Sequence, residues 1–277
     1  MELNWLQSFA LGLVSGLTEI LPVSSQAHQT ILLKFIGETG HVPVTRLVIH
    51  VATFLTVLLS VWGQIGRIRR QQQLVRMPRR RRNRPVEMAA LMDGRIIRTA
   101  LVPVLLMLLL GSVTRRSASL LVVAAAALVN AALLYLPSVL PTADKDSRLV
   151  SPLESILMGL GAGSAVIPGM SSVGACYSVG ILHGMDKKYM LHLALMMQLI
   201  YNAGMIFYDV LDIVDGGAFS IGPRMLLGWG VAGAAAAMGA LLGLHGLDRA
   251  ARKNGLTGFS FYSFGLALFA FILYLVV

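Results

Sequence analysis

A carboxylate, a hydroxyl and an imidazole lie close together in an otherwise apolar stretch, GLTEILPVSSQAH at residues 16–28. An ionisable group such as Glu19 is costly to bury in a membrane and is by default a candidate for function. His28 follows Ser25 by three residues, so both side chains share one face of a helix. That pairing permits activation of the hydroxyl or direct attack by the imidazole on phosphorus. Glu19 is a candidate to bind a divalent cation, Mg²⁺ or Ca²⁺, or to orient His28.

Two short stretches combine a proline with paired serines, PVSSQAH from Pro22 and PGMSSVGA from Pro168. A proline ends the preceding helix, and a serine caps the next one. Two helix starts at one cavity offer free N–H groups, hydroxyls and positive dipole ends, which suit an anion such as phosphate. Serines at such places more often cap a helix than act as nucleophiles. The candidate phosphate-binding residues are Ser24, Ser171, Ser172, Gly169 and Gly174.

The composition indicates an integral membrane protein with an all-α fold. Hydrophobic residues make up 56% of the chain and charged residues only 13%, whereas soluble domains are about a quarter charged. Two apolar runs, 6–21 and 153–167, contain Gly and are followed at once by the proline-serine stretches. Longer runs able, or nearly able, to cross a hydrocarbon core of about 30 Å lie at 44–62, 99–113, 119–136, 191–210, 225–244 and 259–277.

Arginine is concentrated in one short segment between two of these runs. Residues 67–84 contain nine arginines and no acid, and the whole chain has a formal net charge of +10. Basic segments between spanning helices are typical of the cytoplasmic side, so we expect a cytoplasmic loop at 66–86. Contact with anionic lipid headgroups is the expected role. Nucleic acid is not an expected partner, because no aromatic residues alternate with the arginines.

The two proline-serine stretches belong to a longer internal repeat. The residues align without gaps when each is set against the residue 147 positions later, which pairs Gly12 with Gly159 and Gly16 with Gly163. Membrane proteins with internal repeats commonly place broken helices from each half near the bilayer midplane, around a polar ligand. We predict one membrane domain, 1–277, with halves at about 1–136, including the loop at 66–86, and about 150–277.

The two stretches, read as LGLVSGLTEILPVSSQAH and IPGMSSVGACYSVGILHGM, resemble the paired signature of the undecaprenyl-diphosphate phosphatase family, the bacitracin-resistance membrane proteins. The likeness extends to RLVIHVATFLTVLLSVW, to Pro103 and to FSFYSFGLALFAFILYLVV. The resemblance implies a multi-pass protein of the bacterial plasma membrane, with an inverted-topology internal repeat and re-entrant helix pairs. Members of that family remove one phosphate from undecaprenyl diphosphate at the outer face of the membrane, which recycles the lipid carrier of wall synthesis.

The resemblance also identifies motif positions at which this chain has lost charge. An acid is expected where Ser15 stands and an arginine where Ser172 stands; His192 and Ser263 replace two further charged residues. A phosphoryl-transfer site needs cationic groups to hold the phosphate and to neutralise charge in the transition state. A second carboxylate would help to hold a metal. We therefore expect weak hydrolysis and weakened binding of a divalent cation at Glu19.

Basic residues elsewhere in the chain are candidates to replace the missing arginine. Arg46, Arg95 and Lys187 flank spanning segments or follow the second motif. The resemblance implies a polar residue at the place of His50, four residues after Arg46, so we expect His50 to line the substrate cavity. The positions of these residues in the sequence do not decide which of them, if any, reaches the phosphate.

Three functions of different classes fit these observations. The first is an enzyme, an undecaprenyl-diphosphate phosphatase with Ser25 or His28 as nucleophile and Glu19 as metal ligand or base. The second is a non-hydrolytic relative that binds a polyprenyl phosphate lipid, or another amphiphilic anion, or moves it between leaflets. The third is a secondary transporter of a small solute. A homodimer is a further expectation, and fold-level analogy does not choose among the three functions.

Overall fold

The computed structural model describes residues 3–37, 42–82, 84–114, 119–139, 144–216, 222–253 and 255–276. Within these residues the chain forms ten α-helices and short 3₁₀ turns, and the prediction of an all-helical protein is confirmed. The helices are α1 (Trp5–Ile20), α2 (Ser25–Ile36), α3 (Pro43–Arg76), α4 (Met88–Thr114), α5 (Leu120–Val139), α6 (Pro152–Gly163), α7 (Ser172–Leu182), α8 (Lys187–Asp215), α9 (Pro223–Lys253) and α10 (Thr257–Val276).

Six of the helices are long and apolar enough to cross a membrane. They are α3, α4, α5, α8, α9 and α10, and each contains one of the six long apolar runs. The most buried of the six is α8. The four short helices form two hairpins, α1 with α2 and α6 with α7, and each hairpin turns at one of the proline-serine stretches. The chain is therefore a multi-pass membrane protein in which two hairpins pack among the spanning helices.

The first hairpin begins at the end of the helix bundle where α3 starts. Gly228 in the first turns of α9 lies against Ser8 in the first turn of α1. Gly233, one turn further along α9, lies against Val48 in the first turns of α3. These contacts place the starts of α1, α3 and α9 together.

The second hairpin begins at the opposite end of the bundle. Arg67 near the end of α3 donates to Asp93 near the start of α4 (2.8 Å), and Asp93 also accepts from Tyr189 at the start of α8 (3.1 Å). The segment before α6 lies at the same end, because the Lys145 N–H donates to the Gly184 carbonyl just before α8 (2.9 Å). The two hairpins thus enter from opposite ends, as an inverted repeat requires. The repeat itself stays a prediction.

Glycines allow each hairpin to pack closely against a spanning helix. Gly12 and Gly16 of α1 lie on the backbone of α9, and a Cβ at either would overlap it. Their partners in the proposed repeat, Gly159 and Gly163 of α6, lie on α4, Gly159 against the backbone of Ala100 and Gly163 against the side chain of Met107. Small residues permit such approach between helices in membranes. The repeat glycines therefore have a packing role in both halves.

The arginine-rich segment differs from the prediction. The loop expected at 66–86 is helical over its first half, because α3 continues to Arg76, and Arg79–Arg81 form a 3₁₀ turn. The helix continues through Gly66, because the Arg and Gln residues that follow favour helix. No neighbouring group contacts Gly66 closely. Pro78 follows the helix end. At 34 residues and 1.5 Å per residue, α3 is about 51 Å long and outreaches a hydrocarbon core of about 30 Å.

Candidate functional site

Ser24 joins the two broken helices. Its hydroxyl oxygen caps α2 by accepting from the Ala27 N–H (3.3 Å), and it also accepts from the Gly169 N–H in the second break (2.8 Å). Gly169 has a φ of +119°, a conformation that favours glycine. A Cβ at Gly169 would also overlap α5 beside Ala126. Ser24 and Gly169 thus hold the two breaks in contact.

Asn130 in the middle of α5 bridges the same two breaks. Its Oδ1 accepts from the Ser171 N–H (3.1 Å), and its amide donates to the Pro22 carbonyl (3.2 Å) and the Ser263 hydroxyl (3.1 Å). Ser171 caps α7 by accepting from the Gly174 N–H (3.1 Å). The prediction that the two breaks meet in one place is confirmed. Sequence reasoning missed Asn130, although a lone polar residue inside an apolar run indicates such a role.

A small polar cavity lies where the breaks meet. Its volume is about 10 Å³, which is the room that one water molecule needs. Ser25 and Ser172, the first residues of α2 and α7, both line it, so two helix N-termini with free N–H groups lie at this cavity. Among the described residues that line it, Glu19 is the only Asp, Glu, Lys, Arg or His. These residues are Thr18, Glu19, Val23, Ser25, Gln26, Ala165, Met170, Ser171, Ser172, Gln198 and Tyr201.

Glu19 is buried and belongs to a chain of polar side chains. It is only 7% exposed, and its Oε1 accepts from the Gln198 amide (2.7 Å). The same amide donates to Asn202 Oδ1 (3.3 Å), and the Asn202 amide donates to the Thr53 hydroxyl oxygen (3.3 Å). Gln198 and Asn202 stand on α8 four residues apart, and sequence reasoning missed both. Buried polar groups at helical spacing inside an apolar run were the available signal.

Ser25 and His28 do not lie together. Ser25 lines the cavity, and its hydroxyl donates to the Ser15 carbonyl (3.4 Å). His28 lies outside that cavity: its Nδ1 is 2.6 Å from the Ser24 carbonyl, and its Nε2 is 2.7 Å from the Tyr262 hydroxyl. The His28 and Tyr262 rings are also stacked, with centroids 5.7 Å apart. Of the predicted pair, the structure brings only Ser25 to the cavity with Glu19.

His50 does not line the cavity. It is 2% exposed, and its Nδ1 lies 2.5 Å from a carboxylate oxygen of Asp209, which is fully buried on α8. Arg46 lies 3.8 Å from Asp209 and donates to Asp212 (2.9 Å). Desolvated charges need such partners. His50 and Arg46 therefore belong to an ionic cluster between α3 and α8, and neither is among the residues that line the cavity.

The described lining of the cavity carries no lysine, arginine or histidine. Arg46 is engaged by acids, and Arg95 and Lys187 are likewise not among the lining residues. The hydroxyl of Ser172, where the resemblance expects an arginine, is buried without a hydrogen-bond partner, and so is the hydroxyl of Ser15, where it expects an acid. The cavity thus has one carboxyl group, and its other hydrogen-bonding groups are neutral amides and hydroxyls.

The described residues do not form a ready-made metal site. Among them, no group of three or more His, Cys, Asp or Glu side chains is placed to hold an ion. Glu19 is the single carboxylate of the cavity lining, and the residue one turn before it is Ser15. Mg²⁺ and Ca²⁺ bind through several oxygens with one or more carboxylates. One carboxylate fits a divalent cation poorly.

The fold and the cavity define a class: a multi-pass membrane protein whose polar site is built from two broken helices. The model of the family described as bacitracin resistance protein BacA matches residues 8–269. The chain belongs to this family, and the resemblance seen in the two motifs is confirmed. It is accordingly a plasma-membrane protein of the undecaprenyl-diphosphatase family.

Relatives named undecaprenyl-diphosphatase are similar along most of the chain. The one from Nocardioides sp. is 30% identical over 234 residues, which cover 82% of this chain and 80% of the relative. The one from Renibacterium salmoninarum is 26% identical and covers 98% of this chain and 96% of its own. The one from Carboxydothermus hydrogenoformans is 24% identical and covers 94% of each.

Proposed function

We propose that the chain binds the phosphate end of a polyprenyl diphosphate lipid against the two helix starts, beside the cavity between the two breaks, and hydrolyses it slowly. One observation carries the proposal: Glu19, Ser25, Ser171 and Ser172 line one buried cavity at which two helices begin. Helix N-termini are ready-made anion sites. The name of the relatives supplies the substrate class, undecaprenyl diphosphate.

The two helix starts supply the groups that bind phosphate. Ser24 and Ser171 are occupied as caps, so they fix the helix ends rather than contact the ligand. Ser172 is 4% exposed, and its hydroxyl has no partner among the described residues. A buried polar group without a partner is costly. Donation from Ser172 to a phosphate oxygen would remove that cost.

The absence of a cation from the described lining is the reason to expect slow hydrolysis. Phosphoryl transfer is accelerated mainly by groups that stabilise charge on the phosphoryl oxygens. Here hydroxyls and backbone N–H groups alone would do this. Glu19 is the one group of the cavity that can accept a proton from an attacking nucleophile. Of the two side chains predicted as nucleophiles, only Ser25 lines the cavity, and His28 would have to leave Tyr262 to reach it.

Binding without hydrolysis is the second candidate function, and the absence of Lys, Arg and His from the described cavity lining favours it. A groove of about 500 Å³ runs beside α1, α2 and α10, with His28 and Tyr262 among its lining. Its other walls are almost entirely apolar, which suits an isoprenoid chain. These walls are Val14, Ile31, Leu32, Phe35, Gly265, Leu266 and Phe269.

Two partner proposals accompany the function. The arginines at the end of α3 and in the turn after it would contact anionic lipid headgroups, since clusters of four to eight basic residues beside a spanning helix bind them. The second partner is another copy of the chain, in a homodimer. Cross-linking in native membranes tests the homodimer, and flotation with vesicles containing anionic lipid tests the lipid contact.

Phosphate release from undecaprenyl diphosphate by the purified protein tests the main proposal. We expect turnover well below that of the Nocardioides relative assayed in parallel, little changed by Mg²⁺, Ca²⁺ or a chelator. Glu19→Gln should abolish it, because the amide cannot accept the proton. The matched control is Glu87→Gln, a half-exposed acid that pairs with Arg67 outside the cavity.

The outcomes separate the two candidate functions. Turnover equal to that of the relative would contradict slow hydrolysis and would require a cation that enters the cavity. No release from the native protein, combined with tight binding of undecaprenyl phosphate that Ser172→Ala weakens, would support the non-hydrolytic function. Neither release nor binding would contradict both.

A further inference from the structure

The Gln198 side chain lines the cavity, and one of its two polar atoms makes no hydrogen bond to the described residues. Gln198 is 1% exposed, and its amide nitrogen donates to Glu19 and to Asn202. Its Oε1 is buried and has no hydrogen-bond partner among the described residues. Buried side-chain oxygens are nearly always paired, and an exception needs an explanation. The sequence motifs give no role to this residue.

The orientation of the Gln198 amide is fixed from the backbone outward. The Thr53 hydroxyl donates to the carbonyls of Ile49 and His50, so its oxygen is left to accept from the Asn202 amide. Asn202 therefore presents its Oδ1, which accepts from Gln198. The same Gln198 nitrogen also donates to Glu19 Oε1, so the orientation that Asn202 sets is the one in which Gln198 turns its nitrogen toward Glu19. This orientation leaves Oε1 without a hydrogen-bond partner.

We propose that Gln198 and Glu19 together hold the water that attacks the substrate; this inference rests on the hydrolysis of a polyprenyl diphosphate proposed above. A water molecule has two protons to donate, and the cavity lining offers two buried acceptors, the Glu19 carboxylate and Gln198 Oε1. The cavity volume of about 10 Å³ admits one water molecule. Glutamine orients the attacking water in other phosphoryl-transfer enzymes.

The step balances with water as the only co-reactant. The water oxygen forms a bond to the terminal phosphorus while the bond from that phosphorus to the bridging oxygen breaks. The electron pair of the broken bond stays on the bridging oxygen, which leaves as part of the polyprenyl monophosphate. One water proton passes to Glu19 and from there to solvent, and the other stays on the inorganic phosphate. Gln198 Oε1 accepts a hydrogen bond and exchanges no proton.

Direct attack by water fits the contacts better than a covalent intermediate on Ser25. The Ser25 hydroxyl donates to the Ser15 carbonyl and accepts from the Gln29 amide (3.2 Å). Neither neighbour is a base. A serine nucleophile needs an adjacent base, and His28 is bound to Tyr262 instead. Ser25 then acts as a donor to phosphate.

Gln198→Leu tests the proposal because it replaces the amide by an apolar side chain of similar size. The change removes the Oε1 acceptor, together with the hydrogen bond that Gln198 donates to Glu19. We expect kcat to fall by about 100-fold, as for a misplaced reactant, with KM within about threefold of the native value because phosphate binding is unchanged. Ser178→Ala is the control. Ser178, on α7, resembles Gln198 in having a buried oxygen without a hydrogen-bond partner among the described residues, but it does not line the cavity. Its kcat should not change.

Two further measurements do not depend on steady-state turnover. A high-resolution structure of the native protein should show one solvent molecule within hydrogen-bonding distance of Glu19 and Gln198 Oε1, and Gln198→Leu should lose it. Quenching in denaturing detergent at mildly alkaline pH, which preserves both phosphoserine and phosphohistidine, during turnover of substrate labelled with ³²P in the terminal phosphate should leave no label on the protein. Label on Ser25 or His28 would overturn the proposal.

The results distinguish this inference from the proposed function. Phosphate release that Gln198→Leu leaves unchanged, or density for a metal ion in place of the solvent molecule, would overturn the water assignment and leave the hydrolytic function standing. The solvent molecule in place with no phosphate release from the native protein would contradict the function. It would reduce Gln198 to a ligand of structural water, which overturns its assignment as a catalytic residue.

Discussion

At the scale of single residues, the charge of the cavity limits the chemistry. Each helix N-terminus contributes about half a positive charge, so the starts of α2 and α7 together offset about one negative charge, no more than a carboxylate at residue 19 would carry. A bound diphosphate would then keep its own charges uncompensated. An arginine at residue 172 would supply a full charge and two parallel hydrogen bonds. The missing positive charge therefore lowers the stabilisation of the transition state of phosphate release.

Restoring that charge should raise the rate. Ser172→Arg combined with Ser15→Glu should increase kcat for phosphate release by at least about 100-fold, the effect of one well-placed transition-state donor. Each single change should help less. Ser15 is fully buried, so Ser15→Glu alone adds a buried carboxylate without a partner, whereas in the double variant Arg and Glu compensate each other. Phosphate release with and without Mg²⁺ is the measurement.

A matched control separates charge from geometry in this experiment. Ser172→Lys with Ser15→Glu adds the same charge without the planar fork, so it should recover less activity than the arginine variant. Equal recovery by both would mean that only charge was missing. A folded arginine variant that binds substrate and remains inert would indicate a cavity shaped for binding or transport.

At the scale of helices, glycine decides how closely the hairpins pack. The helix pair α1 and α9 has the most extensive contact in the described structure, and Gly16 lies against the carbonyl of Ala236 there. Lipid provides no hydrophobic drive for helices to associate, so close van der Waals contact is the main stabilising term. The position of Glu19, one turn after Gly16, depends on this contact.

Alanine substitutions at two glycines should therefore have opposite effects. Gly16→Ala forces α1 away from α9 and should lower the melting temperature and phosphate release together. Gly230→Ala, in α9 with open space beside it, should be neutral or stabilising by up to about 1 kcal/mol, because alanine favours helix more than glycine does. Thermal unfolding in detergent measures both. Equal losses from both would show that the close contact does not stabilise the hairpin.

The sequence predicted the helices and their breaks because apolar length and proline-serine pairs act locally. It also predicted that Ser25, Ser171 and Glu19 would share a cavity, since a repeat brings equivalent breaks together. It did not predict the partners of His28 and His50, because Tyr262 and Asp209 are more than 150 residues away in the chain. The helical part of the arginine-rich segment was missed because the apolar run ends at residue 62, whereas α3 continues to Arg76 through Arg and Gln residues that also favour helix.

At the scale of the whole molecule, the two hairpins approach one cavity from opposite ends of the bundle. The first enters where α3 begins, near Val48, and the second enters where α3 ends, near Arg67. Such an arrangement lets a site in the interior face either side through small movements of one half. The side of the membrane on which the arginines lie therefore also determines which hairpin enters from the cytoplasm and which enters from outside.

The arginine-rich end of α3 should lie in the cytoplasm, because basic residues next to spanning helices are retained on that side. Gln73 is exposed on this part of α3, and Arg224 is exposed at the start of α9, at the opposite end. The variants Gln73→Cys and Arg224→Cys therefore place a reactive thiol at each end. The native Cys176 is buried and should not react. A membrane-impermeant maleimide should therefore label Arg224→Cys in intact cells and Gln73→Cys only after permeabilisation. The reverse pattern would place the α1–α2 hairpin, with Glu19, on an entry path from the cytoplasm, and hydrolysis of a lipid diphosphate at the outer face would then be untenable.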